Sequence, residues 1–144
     1  MNTQAIRYAR LLGWGGVAPF LAWPVIVTVG APDWLILLVK TYAIVILAFM
    51  AGTLWMRQIG DHEIRSSRLF ISNGLALLAW PAILLPGNWA AAWLAILFAA
   101  HLVVDQPWRP NGLPGWYRRL RAGLSSSVIT LLTLAAVIGF GRGF

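Results

Sequence analysis

The sequence predicts an all-α integral membrane protein, a compact bundle of five transmembrane helices with its N-terminus in the cytoplasm and its C-terminus outside. Three observations carry that expectation. The 144 residues are 60% hydrophobic and only 10% charged, whereas soluble domains carry about 25% charged residues. The apolar residues fall in five runs between polar or Gly/Pro punctuation, each near the roughly 17–25 residues a helix needs to cross hydrocarbon. The basic residues gather on one side of those runs.

The spans expected from the runs are 11–29, 34–56, 69–85, 89–105 and 122–140, in a single membrane domain covering 1–144. The first two are joined by "GAPD" and the third and fourth by "PGN" (Pro86, Gly87, Asn88), turns so short that they force antiparallel neighbours. The runs are too many and too long for a cleaved signal peptide. Arg7, Arg10, Arg57, Arg65, Arg68, Arg109, Arg118, Arg119 and Arg121 fall on one side, against Arg142 and a shallow Lys40 on the other. That asymmetry sets the orientation, and a bacterial inner (plasma) membrane is the simplest address. The net charge of +7 then reads as topology and attraction to anionic lipid head groups at the cytoplasmic face, not to nucleic acid.

Two stretches echo one another: "LAWPVIVTVGAPDW" (Leu21 to Trp34) and "LAWPAILLPGNW" (Leu78 to Trp89). In the five-span arrangement both LAWP copies run from inside to outside, with Trp34 and Trp89 opening the returning helices at the outer interface, where amphipathic rings anchor. Four shared residues in a chain so rich in Leu, Ala and Trp are weak evidence of duplication. Pro19, Pro24 and Pro81 remove backbone donors and release the carbonyls of Gly15, Phe20 and Leu77, so kinks are expected. Kinks that merely shape the bundle are the simpler reading; the functional one is a ligand-binding crevice at Pro19, Trp23, Pro24, Trp80 and Pro81.

Ionisable groups inside a membrane are costly, so function is sought there first. Lys40 is expected to snorkel toward Asp33 at the outer surface. His101 and Asp105 lie four apart, on one helical face. Their spacing suits a histidine oriented by a carboxylate, a proton relay or a shared metal, and the simplest expectation is a His–Asp hydrogen bond, with Asp105 facing the arginines of the following loop. A metal needs more ligands than this pair. A bis-histidine haem would require His62 and His101, the only histidines, and their spacing does not suggest one; His62 and Glu63 in "GDHEIRSSR" are the remaining candidates. No cysteine is present, which excludes disulfides, thiolate metal sites and cysteine nucleophiles; no cofactor or metal is expected. Ser125, Ser126 and Ser127 open the fifth span, where hydroxyls usually back-bond or pack. No nucleophile elbow, His-Glu-x-x-His pair or phosphate-cradling loop occurs, so no enzyme is expected.

The strongest local signal is "NGLPGWYRRLRAGLSSS". Pro114 starts a helix, and Trp116, Leu120 and Leu124 recur every four residues. An interfacial helix is expected at 114–121, feeding the last span. Arg109, Trp116, Arg118, Arg119 and Arg121 would form a basic face for lipid or partner; anchoring is the simpler role.

"GWGGVAPFLAW", "YAIVILAFMAGTLW" and above all "LPGWYRRLRAGLS" resemble the bacterial family called domain of unknown function 3429, related to eukaryotic mitochondrial transmembrane protein 69. Where that family leads one to expect a second glycine, this chain has Ala51-Gly52. The resemblance implies an integral membrane protein without assigned catalytic residues. The expectation is a non-enzymatic accessory, scaffold or assembly partner of an inner-membrane complex, its partners being membrane lipids and another membrane protein or a second copy of itself. The alternative is a small carrier or binding protein for a lipid-like hydrophobic molecule.

Overall fold

The computed structural model describes residues 2–59, 66–110 and 112–143. Among them the chain forms six α-helices and one 3-10 helix: α1 (Thr3–Gly15), α2 (Ala18–Val29), α3 (Asp33–Ile59), α4 (Ser66–Ala79), the 3-10 helix Trp80–Leu84, α5 (Gly87–Asp105) and α6 (Gly115–Gly141). Five segments are long and apolar enough to cross a membrane, α1 and α2 together making one and α4 with the 3-10 helix another. The 27 residues of α3 extend about 40 Å at ~1.5 Å per residue, more than a hydrocarbon core of roughly 30 Å requires.

Local chemistry explains the boundaries. Asn2 caps α1 by accepting from the Gln4 amide at 3.2 Å, meeting one of the donors a helix start leaves open. The first segment begins earlier than the apolar run does and breaks at Gly16-Val17, where Val17 N–H turns to Trp14 C=O at 3.0 Å. Adjacent glycines weaken the helix there, and Pro19 sits in the first turn of α2, where a missing donor costs nothing. Pro19 therefore starts a helix; Pro24 alone of the two lies inside α2. Gly30, at φ +69°, closes α2, and Ala31 N–H reaches Ile26 C=O at 3.1 Å, as a left-handed glycine cap permits. At Pro81 the helix tightens to 3-10 geometry, because the ladder lacks that donor. The helix expected at 114–121 is not separate: α6 runs unbroken from Gly115 to Gly141.

The core is built from a few large side chains set among alanines. Phe20, Trp23, Leu47, Leu94, Phe98 and Leu132 are buried beside Ala43, Ala51, Ala79, Ala90, Ala91 and Ala135. Small residues let helices approach closely where lipid supplies no hydrophobic drive between them. Phe20 meets Tyr42 and Phe98 edge-on at centroid distances of 5.5 and 5.7 Å, a favoured ring geometry. Gly139 is required by close approach, since a Cβ there would lie 2.8 Å from that of Asn88. Leu, Phe and Val side chains such as Leu38, Phe49, Phe70, Leu77, Leu84 and Val103 face outward. An apolar circumference of that kind suits lipid, not water.

Candidate functional site: a buried charge network beside an amphipathic cavity

Asp105 closes α5 and is 1% exposed. Gln106 follows at φ +47° and returns its N–H to Leu102 C=O, which stops the helix there. One carboxylate oxygen accepts from Arg57 Nη1 on α3, and the other accepts from Arg121 Nε on α6 at 2.7 Å. Arg57 also donates to the Asp105 carbonyl at 3.0 Å. Arg121, itself 4% exposed, further donates through Nη1 to Tyr117 Oη at 3.2 Å and through Nη2 to Thr53 Oγ1 at 2.9 Å. Thr53 donates on to Met50 C=O at 2.7 Å. One acid thus ties three spans together. Charge-assisted bonds of this kind are the strong ones, and burial makes their loss costly.

The neutral partners matter because the charges do not cancel. Two guanidinium groups face one carboxylate, leaving an excess of one positive charge among the described residues of the network. Hydroxyl and carbonyl oxygens, together with the Tyr117 ring 5.7 Å from Arg121 Cζ, soften that excess.

Arg121 also forms the wall of a cavity of ≈ 280 Å³ between α1, α2, α3, α5 and α6. Its lining is graded. Thr53, Tyr117, Arg121 and Ser125 supply polar atoms, and Phe20, Ile46, Phe98 and Val128 continue toward the bundle middle. The gradient follows from register: Tyr117, Arg121 and Ser125 recur every four residues on α6, hence on one face. Ala9, Leu12 and Gly13 of α1 border the cavity, although α1 contains no buried residue. A Cβ at Gly13 would stand 3.0 Å from Leu124 Cδ1, so a larger residue there would push the leucine side chain aside. A shallower groove lies beyond Val17, lined by Trp14, Leu21, Ser127 and Thr130.

The opposite end of the bundle holds a second buried cation. Lys40 is 7% exposed, and its ammonium donates to Leu85 C=O at 2.7 Å and Ile83 C=O at 3.3 Å. It therefore caps the 3-10 helix instead of reaching toward Asp33. Trp93 Nε1 donates to Leu78 C=O at 2.8 Å, and Tyr42 Oη to Gly16 C=O at 2.7 Å. Side chains thus bond carbonyls one residue beyond those expected to be released by Pro81 and Pro19.

Several expected site residues are placed differently. Trp23 and Pro24 are buried in the core, whereas Trp80 is 71% exposed and Pro81 faces outward. With Pro19 they line neither of the two cavities described above. His101 does not bond Asp105; its Nε2 lies 3.0 Å from Met50 C=O on α3, and its Nδ1 is buried without a partner among the described residues. The basic face divides: Arg109 and Arg119 are exposed, Trp116 and Arg118 are partly buried, and Arg121 is removed into the network. His62, Glu63 and Arg65 lie outside the described residues.

Sequence reasoning does not single out Thr53, Tyr117 and Ser125 as a polar set, and it uses Arg57 only for topology. A usable signal existed, since an acid at the end of a span needs basic partners at its own depth, and Arg57 and Arg121 sit at corresponding ends of their helices.

A family model described as "Protein of unknown function (DUF3429)" matches residues 5–137. No curated protein and no solved structure matches the chain.

Proposed function

In a chain that belongs to the DUF3429 family of proteins of unknown function, we propose a multi-pass protein of a bacterial inner membrane that binds a lipid-like hydrophobic molecule without enzymatic chemistry. The observation that carries this reading is the graded cavity, apolar toward the bundle centre and polar at the Asp105 end. Ligand sites combine such walls with a few placed polar groups. The cavity, and not the expected proline crevice, is the seat of binding. The N-terminus lies in the cytoplasm and the C-terminus outside; the arginines at the network end, against Lys40 and Arg142 at the other, support that orientation.

A second reading, an accessory or assembly partner of a membrane complex, draws on Trp108, Arg109 and Arg119, which are exposed beside one another in sequence and around the start of α6. These groups suit anionic head groups or an acidic partner face. Native mass spectrometry from lipid nanodiscs separates the two. A single defined small molecule retained on the protein is the expected result, whereas reproducible mass from another polypeptide, with no small molecule, would favour the accessory role.

A further inference from the structure

Ser125 differs from the other hydroxyl residues of the last span in being both buried and, among the described residues, unpartnered; Ser126, which also makes no bond of its own, is exposed. Ser127, Thr130 and Thr133 each donate to the carbonyl four residues earlier, at 2.7–2.8 Å, the usual resting place for a hydroxyl in an apolar helix. Ser125 is 3% exposed, and its Oγ has no partner among the described residues. It lines the cavity one helical turn from Arg121. A buried hydroxyl left unpaired is costly, and here it sits beside the cation of a network whose described charges sum to an excess of +1. Arg121 has five N–H donors, of which three are engaged by Asp105, Tyr117 and Thr53. Two remain for another acceptor.

Resting on the reading of the cavity as a binding site, we propose that the ligand is a single-chain amphiphile with a carboxylate head. The head accepts from Ser125 Oγ and the remaining Arg121 N–H groups, and its single negative charge offsets the excess. The chain lies along Phe20, Ile46, Phe98 and Val128. The cavity, ≈ 280 Å³ and partly open to the bundle surface, has room for an aliphatic chain beside its apolar wall. The polarity also agrees with depth, because the polar wall lies at the helix ends and the apolar wall toward the bundle middle. A cationic head would meet the same excess positive charge and be repelled.

The test uses the full-length protein in nanodiscs of neutral lipid, with radiolabelled dodecanoate as the probe at alkaline pH and empty nanodiscs as the baseline. Dodecanol and dodecyltrimethylammonium serve as competitors of equal chain length. The expected result is saturable binding of dodecanoate, with dodecanol competing at least about tenfold more weakly and the ammonium compound more weakly still. Dodecanol competing as well as unlabelled dodecanoate would overturn the carboxylate assignment while leaving the cavity reading intact. Absence of saturable binding by any of the three would overturn the cavity reading itself. Ser125→Ala, which removes one oxygen and adds no bulk, should weaken dodecanoate about fivefold and leave dodecanol unchanged. An equal loss for both probes, or for neither, would remove Ser125 from the head-group site.

Discussion

Arg121 and Lys40 are both buried cations within spans, at opposite ends of one bundle, yet one is answered by a carboxylate and the other by backbone alone. At the network end, Asp105 divides its two oxygens between Arg57 and Arg121. At the other, the ammonium of Lys40 sits on the last carbonyls of the 3-10 helix and the residue after it, where a helix end carries partial negative charge. Proline creates that second arrangement by tightening the chain at Pro81 so that Ile83 and Leu85 point their carbonyls at α3. The lesson is that a span can hold a cation without an acid if its partner helix ends irregularly. The acid is kept for the end where, among the described residues of the network, cations outnumber it and a cavity adjoins them.

The largest effect should follow from removing the acid. Asp105→Asn leaves the buried Arg121 and the partly buried Arg57 without a counter-charge, at a cost of about 3–5 kcal/mol, read as a large fall in the thermal midpoint of the purified protein. Lys40→Met removes donors from two carbonyls but strands no charge, so its cost should be smaller, about 1–3 kcal/mol. If the methionine variant melted as low as the asparagine variant, the contrast between the two ends would be lost. Trp93→Phe sharpens the account of the proline end: it deletes one bond to Leu78 C=O and should cost about 0.5–1.5 kcal/mol in the same measurement. Smallest of all, Arg119→Gln alters an exposed cation and should leave the midpoint within about 0.5 kcal/mol. Binding to anionic vesicles should weaken by about 1 kcal/mol, which a lipid-partition assay would detect.

The sequence made the five apolar segments legible because period and length are local properties. It also drew attention to His101 and Asp105, since an ionisable residue in a span is visible without knowing its neighbours. What it could not supply was direction between helices. His101 and Asp105 share a face, yet one turns to Met50 on α3 and the other to Arg57 and Arg121, a choice made by neighbouring spans. The two LAWP copies give the same lesson. Trp23 and Pro24 lie buried within an α-helix, whereas Trp80 and Pro81 face outward at the start of a 3-10 helix. Four shared letters therefore adopt two backbones, and only one pair belongs to the core. The break at Gly16-Val17 was written in the glycines and Pro19, but the cavity beneath it depends on how α1 lies over α6, which no single segment encodes.

Photolabelling with a single-chain fatty acid bearing a diazirine at its tail tests the central claim most directly. The reading of the cavity as a carboxylate amphiphile site predicts cross-links concentrated on Phe20, Ile46, Phe98 and Val128, reduced by excess dodecanoate. Labelling spread over the outward-facing Leu77, Trp80 and Leu84, with none in the cavity and no competition, would contradict it.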